Sequence, residues 1–411
     1  MDRGRGNAGS QTVTRPARKR VLVLSTLWPN PTAPRFGTFV ESSIRALAKH
    51  SEWEPVVINP LGLPPVRLGR YRALADHADT ADIDDGLHVE RPGFTLLPRI
   101  GGRFNPAQIA TSVLPIARRE HEAAPFACVD AQFFYPDGPA AARVAKALGV
   151  PLSIKARGAD IHYWGSKPYA REMMLGAGEH AAGLLAVSEA MADSMTRLGM
   201  ARGKIAVHYT GLDRDRFRPH AHDGLRLKLS EELGIPLETN EPLLVTTGAL
   251  IERKGQAFVI EALAQLPDAR LLLIGRGPDE AKLRGLAQTT GVADRVHFLG
   301  SVDHDLLPLA LSAADAMVLP SASEGLANAW VEALACGTPV VTTDVGGARE
   351  LIRDPSAGVL VERSVEAVAQ GIREVLANRA DRQTVAANVE AFSWKANGQA
   401  LAAHYDAISG Y

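Results

Sequence analysis

Short apolar runs alternate with segments of helical spacing along most of this chain, and the alternation stops once and starts again. Arg20 to Ser25 reads as a buried strand, followed by a loop over Thr26 to Thr38 and by Phe39, Val40, Ile44 and Leu47 on one helix face. Pro55 to Asn59, Pro151 to Ala156, Gly183 to Ser188 and Lys204 to Tyr209 are further strand-like runs, with helices over Gly138 to Leu148 and Glu189 to Leu198. A polar, turn-rich joint from Thr210 to Asn240 carries Pro219, His220, His222 and Pro236. Six strand candidates follow: Pro242 to Thr247, Ala269 to Ile274, Arg295 to Leu299, Ala316 to Pro320, Pro339 to Thr343 and Gly358 to Val361. Phe258 to Leu266, Glu280 to Thr289, Leu306 to Ala314 and Asn328 to Ala335 are the helices between them. Apolar strands separated by helices make parallel sheets covered on both faces. The chain, at 411 residues, is too long for one ordinary core. We therefore expect an α/β protein of two doubly wound domains facing a cleft.

The expected boundaries are a flexible basic tail over 1–19, one domain over 20–218, a second over 219–390, and a helix over 391–411 that packs back on the first. The N-terminus carries Arg3, Arg5, Arg15, Arg18, Lys19 and Arg20, and the tail over 1–19 is either solvated or a contact for acidic lipid at the inner membrane face. Residues 62–105 read as a long irregular insertion with Arg67, Arg70, Arg72, Arg91, Arg99 and Arg103, either a mobile flap or part of an acceptor site. Lys+Arg 45 against Asp+Glu 46 gives a net charge of -1, which gives no reason to expect nucleic acid. Cys128 and Cys336 read as buried free thiols, so a reducing, cytoplasmic compartment is expected. No apolar run approaches the roughly 18 residues that span a bilayer.

Ligands of open α/β sheets bind beyond the carboxyl ends of the strands, so the loops after strands carry the chemistry. Ser323 to Pro339 holds two carboxylates with seven residues between them. Glu324 sits in a loop at Gly325. Glu332 sits in a helix that Gly337 and Pro339 end, about 12 Å away if the spacing is helical. The unpaired N–H groups of the helix start suit a phosphate, with an acid toward each end of a sugar nucleotide.

These residues are similar to those of the family 4 glycosyltransferases, retaining enzymes with the GT-B fold of two Rossmann-like domains. Glu324 to Glu332 resembles that family's E-x7-E signature, and Thr247 to Gly255 its phosphate-binding loop. Val187-Ser188-Glu189, Thr210 to Asp213 with Phe217 and Pro219, Leu299-Gly300, and Asp344 to Gly347 match in place and order. The likeness extends over most of residues 20 to 405. It implies an N-terminal acceptor domain and a C-terminal nucleotide-sugar donor domain.

The resemblance implies that Glu324 binds hydroxyls of the transferred sugar and supports charge at the anomeric carbon. Glu332 would accept from ribose hydroxyls. Gly325 and Leu326 would present N–H groups to the diphosphate, and Lys254, helped by Arg253, would neutralise the leaving group. Gly37 and Gly248 belong to loops facing the donor phosphates. Gly275 and Gly277 look like a base-binding turn, and Leu299 precedes another donor loop. Trp28 and Asn30 lie in a loop that reads as an acceptor wall, Trp28 being a sugar platform or a packed anchor.

Two departures stand out. Many relatives carry Arg after the loop glycine, where this chain has Ala249. Many have His-Gly-x-Asp where this chain has Arg157-Gly158-Ala159-Asp160. Arg157 cannot act as a base, so facing the cleft it should hold a phosphate or an anionic acceptor, with Asp160 orienting it or binding an acceptor hydroxyl. His162 is a candidate to recover the missing His role. Glu280 at the third glycine position disfavours a dinucleotide cofactor.

Three D-x-D triplets, Asp82 to Asp84, Asp213 to Asp215 and Asp303 to Asp305, lie in unrelated contexts, so no metal is expected. The expected function is retaining transfer of a hexose from a UDP or GDP sugar to a glycan or lipid-linked acceptor, without a further cofactor. A sugar-nucleotide epimerase of the same architecture and a non-catalytic sugar-nucleotide sensor are the alternatives.

Overall fold

The structure is a computed structural model that describes residues 18–97, 101–220, 224–237, 240–303 and 305–410. Arg3, Arg5, Arg15, Arg99 and His222 lie outside the described residues. The N-terminal half contains β1 (Lys19–Leu24), β2 (Trp53–Ile58), β3 (Leu61–Leu63), β4 (Thr80–Asp84), β5 (Leu87–Arg91), β6 (Gly93–Thr95), β7 (Cys128–Ala131), β8 (Leu152–Ala156), β9 (Gly183–Ala186) and β10 (Ile205–Val207). The C-terminal half contains β11 (Leu243–Thr247), β12 (Arg270–Ile274), β13 (Val296–Gly300), β14 (Ala316–Leu319), β15 (Val340–Thr343) and β16 (Gly358–Val361).

The first sheet runs β10-β9-β8-β7-β1-β2-β5-β4, and only β4 is antiparallel to its neighbour. The second runs β13-β12-β11-β14-β15-β16, all parallel. In each sheet the strand order reverses beside the first strand, between β1 and β7 and between β11 and β14. Loops on the two sides of a reversal part from each other and leave a crevice. The fold thereby fixes which loops build a site: those after β1 and β7, with the loop after β8 beside them, on one side, and those after β11 and β14 on the other.

Val21, Leu22, Val23 and Leu24 are fully buried, as are Leu271, Leu272 and Leu273. Strands covered on both faces need such continuous apolar runs. Helix Trp394–Ser409 leaves the second half and lies against helix Thr38–His50 of the first. Leu401 and Tyr405 join the core of Val40, Ile44, Leu47 and Trp53, and Gly398 stands against the backbone of Ala46.

Two expectations are corrected. Lys19 belongs to β1 and pairs with Asp406 at 2.6 Å, so it is not part of a tail. Residues 62–105 are not an irregular insertion: β4 and β5 widen the first sheet, and β3 pairs with β6. Four of the five β4 residues are exposed, so no apolar alternation marks that strand. Both cysteines are buried free thiols. No helix among the described residues is long and apolar enough to cross a membrane.

Candidate active site

A cavity of about 500 Å³ lies between the two halves, at the carboxyl ends of both sheets. Arg35, Phe39, Lys155, Arg157 and Val187 line it from the N-terminal side; Thr247, Gly248, Lys254, Gly275, Glu324, Leu326, Asn328 and Glu332 line it from the other.

The C-terminal wall is built by glycines that let loops touch. Gly275 has φ +141°, and a β-carbon there would overlap the Gly248 carbonyl. Gly277 stands equally close to Leu250. This contact locks the loop after β11 onto the loop after β12, and it explains both glycines without a ligand. The β11 loop then tightens into the turn Glu252–Lys254 and aims Lys254 back at the cleft. Lys254 Nζ lies 2.6 Å from Glu324 Oε1, to which Ser321 Oγ also donates at 2.8 Å. Arg253 Nη1 is 3.2 Å from the same oxygen. Two hydrogen bonds and an ion pair on Oε1 fix the carboxylate and leave Oε2 with no protein donor among the described residues.

The spacing from Glu324 to Glu332 is only half helical. Residues 323–327 are loop, and helix Asn328–Ala335 starts four residues before Glu332. That helix has no side-chain cap: the Trp330 N–H turns back to the Ala327 carbonyl at 3.0 Å, and the first two residues, Asn328 and Ala329, line the cavity. Thr247 Oγ1, buried without a partner among the described residues, adds a further polar group to the same wall.

Burial pushes the Glu332 carboxyl up to about 7, and Arg216 opposes this only in part. With a folded pKa above its ordinary 4.5, the native state binds this proton more tightly than the unfolded chain. Its contribution to stability therefore falls as pH rises from 4.5 to 7. A ligand whose two hydroxyls donate to the ionised carboxylate has the opposite sign. Affinity for such a ligand, tested with UDP and GDP, is expected to weaken about tenfold from pH 8 to pH 6 in the native protein, and titration calorimetry on Glu332→Gln should give a flat profile over the same range.

On the N-terminal wall, Arg157 follows β8. Its Nε donates to the Gln132 carbonyl at 2.7 Å, Nη2 contacts Gln132 Oε1, and the guanidinium lies 4.8 Å from the Phe39 ring centre. Burial pulls its pKa down to about 10, with Asp160 and Asp130 opposing, so it stays cationic at neutral pH. The carbonyl of Arg157 sits 3.0 Å from where a β-carbon on Gly325 would lie. Gly325 thus lets the donor-side loop close directly on the Arg157 turn.

Four expected site residues have side chains turned away from the cavity, two of them, Trp28 as an anchor and Asp160 beneath Arg157, in one of the two roles expected. Asp160 is fully buried, and its carboxylate accepts from the N–H groups of Phe134, Arg157, Gly158 and Ile161 at 2.7–3.1 Å. It shapes the Arg157 turn and has no oxygen left for an acceptor. Trp28 is 1% exposed and packs in the core with Val40 and Ile44, so it is an anchor and not a platform. The Asn30 side-chain oxygen accepts from Thr32 N, Thr32 Oγ1 and Ala33 N, which closes its own turn. Leu299 packs against the C-terminal core, while Ser301 and Val302 line the cavity.

Gly37 starts helix Thr38–His50 with φ +76°, and a β-carbon there would meet Leu27 C at 2.5 Å. It lets that helix start beside Phe39 at the wall. His162 is exposed in a second recess of about 240 Å³, which also touches Glu324.

Lys155 lies within the apolar strand run Pro151 to Ala156, where a lysine is itself a signal. It is 1% exposed, and its Nζ lies 2.7 Å from His208 Nδ1. His208 Nε2 is 2.9 Å from the Asn397 carbonyl, so that nitrogen carries the proton and Nδ1 accepts from Lys155. Burial lowers the pKa of both groups.

Among the described residues, none of the D-x-D triplets belongs to a group of three side chains close enough to share an ion. Asp82 pairs with Arg91 and Asp84 with Arg45; Asp213 Oδ1 caps its own turn. Among the described residues one group of three comes together, His88, Glu90 and Glu120, and its acids already face Arg119 and Arg20.

Comparison with known proteins bears on this site as a whole. The model of glycosyltransferase family 4 matches residues 37–216, and that of glycosyl transferases group 1 matches residues 231–392. A Bacillus subtilis protein named for teichuronic acid biosynthesis, TuaC, is 28% identical over 86% of this chain and 88% of its own length. A GDP-mannose-dependent alpha-(1-6)-phosphatidylinositol monomannoside mannosyltransferase of Mycobacterium tuberculosis is 33% identical over 53% of this chain and 58% of its own. Among solved structures, sucrose-phosphate synthase from Thermosynechococcus elongatus superposes with a TM-score of 0.75 at 21% identity, covering 96% of this chain and 100% of its own.

Proposed function

The chain belongs to the family 4 glycosyltransferases of the GT-B fold, and from that premise we propose retaining transfer of a hexose from a UDP or GDP sugar to a hydroxyl of a glycan or lipid-linked acceptor. The observation that carries this reading is the Glu324–Lys254 pair at 2.6 Å, in one cavity with Glu332 and an uncapped helix start. Lys254, Arg253 and the N–H groups from Gly325 onward surround the place where a diphosphate would sit. Glu332 lies deeper along the same helix, where a ribose would follow. Glu324 Oε2 is left to accept from a sugar hydroxyl.

A double displacement needs a nucleophilic carboxylate at the anomeric carbon, and both acids already have other roles here. We favour a front-face path. The departing phosphate oxygen takes the acceptor proton while the protein holds the ion-pair-like state. Closing the cleft excludes water and protects the donor from hydrolysis. Arg157 supplies, from the acceptor side, an anion-binding group where Ala249 offers none. That group meets either the diphosphate or a charged acceptor; the phosphatidylinositol substrate in the mannosyltransferase's name is itself anionic. No metal takes part in this scheme, because cationic side chains and the helix start neutralise the leaving group. We place the reaction in the cytoplasm, with a peripheral contact at the inner membrane face where the acceptor is lipid-linked.

A thermal-shift panel of UDP-, GDP- and ADP-sugars tests the donor class. One nucleotide should raise Tm in proportion to its affinity, equally with and without EDTA. Stabilisation by none of them removes the donor assignment; stabilisation abolished by EDTA removes the metal-free scheme.

A further inference from the structure

Glu350 lies in the helical turn Ala348–Leu351 of the donor half, outside the main cavity. Every hydrogen bond that its side chain makes among the described residues crosses to the acceptor half. Its Oε2 accepts from Glu189 N–H at 3.0 Å and from the Tyr209 hydroxyl at 2.8 Å, and its Oε1 from Ala190 N–H at 3.2 Å. Glu189 and Ala190 open helix Glu189–Leu198. Ser188 caps the next N–H, that of Met191, and its hydroxyl donates to the Gly325 carbonyl at 3.1 Å. One helix start is therefore satisfied partly by its own Ser188 and partly by a carboxylate from the opposite domain. Helix polarity favours negative charge at that end.

The same turn also touches the donor loop. Gly347 N–H donates to the Gly325 carbonyl at 2.8 Å. Gly346, at φ +53°, stands so close to the backbone of Glu324 and Gly325 that a β-carbon would overlap it. Residues 346–350 thus join the acceptor domain at one end to the Glu324 loop at the other.

We propose that Glu350 is a closure latch, a positioning residue that engages helix Glu189–Leu198 and Tyr209 when the cleft shuts and, through Gly346–Gly347, seats the Glu324–Gly325 loop against the acceptor domain. Tyr209 suits this role. It lies at the joint, where Asn397 Nδ2 holds its carbonyl at 2.6 Å. Burial and the neighbouring Glu350 push its phenol up to about 12, so it remains a donor. When the cleft opens, the carboxylate and the freed N–H groups pass to water. The latch is thereby reversible, as product release requires.

The proposal rests on the transferase reading for its kinetic arm only. Spin labels at the exposed Glu172 and Glu366, one on each domain, report cleft closure in the full-length protein with UDP and, separately, with GDP. The wild type should give one short, narrow distance distribution, and Glu350→Ala a broad, longer one. Glu350→Ala should lower kcat about 30-fold while nucleotide Kd stays within about threefold, since three charge-assisted contacts are lost and the donor wall is untouched. Glu350→Gln and Tyr209→Phe, which keep part of the network, should fall between, and they decide the matter if the Ala variant fails to fold. An unchanged distance distribution or a wild-type kcat in Glu350→Ala overturns the latch. Absence of transfer by the wild type with every donor overturns the transferase reading instead, and the distance measurement still decides the latch.

Discussion

Lys254→Ala is expected to lower kcat about a thousandfold in a protein that remains folded. As the bond to the sugar breaks, the leaving diphosphate gains negative charge. Of the two cations on the loop after β11, Lys254 is held more firmly: its side chain is 13% exposed, whereas that of Arg253 is 44% exposed. A fixed, partly desolvated charge stabilises a developing anion far better than a mobile solvated one. Removing it leaves Glu324 with Ser321 and Arg253 as donors, so the fold should lose only about 1 kcal/mol. Nucleotide release in single turnover, with circular dichroism as the control for folding, reads both effects. Lys254→Arg keeps the charge but spreads it over a wider group, and it should recover part of the rate. A wild-type rate in Lys254→Ala would remove Lys254 from the leaving-group site.

Glu324→Gln should lower kcat about a hundredfold, close to 2.7 kcal/mol of transition-state stabilisation. The substitution preserves shape, so the loss has a specific cause. Oε1 is committed to Lys254, Ser321 and Arg253. In Gln the carbonyl oxygen must take that position, because an amide N–H₂ cannot accept from an ammonium group. The amide nitrogen then faces the place held by Oε2. A sugar hydroxyl that donated to Glu324 meets a donor there, and the negative charge that favours an oxocarbenium-like centre is gone. Steady-state kinetics should show the fall mainly in kcat, with nucleotide Kd within about threefold of wild type. A selective loss of nucleotide binding would move Glu324 from the sugar to the phosphates.

The C-terminal half is more legible in the sequence than the N-terminal half. Its six strands are short, apolar and separated by helices with clear ends, so period and punctuation both report the fold. In the N-terminal half, β7 has four residues and carries the buried Asp130, β4 is almost wholly exposed, and helix Asn105–Ala123 contains Pro115. None of these shows the pattern expected of its class. At the site, Glu324, Lys254 and the glycines Gly248 and Gly275 stood out through their likeness to the family's motifs, and only for Gly275 does a tight loop contact supply the reason. Side-chain direction was not visible. Nothing local told whether Trp28 turns inward, or that four backbone N–H groups converge on Asp160. The Lys155–His208 contact joins residues 53 positions apart, and the Glu350 contacts join the two domains. Such pairs are set by the sheet order and the closing of the cleft.

Retention is tested by an NMR reading of the product formed from the nucleotide sugar that stabilises the protein, with the acceptor present. The product should be a glycoside with the donor's anomeric configuration, with one nucleotide diphosphate released per bond formed, and both should be lost in Glu324→Gln. An inverted product, or an epimerised donor with no nucleotide diphosphate released, would contradict retaining transfer.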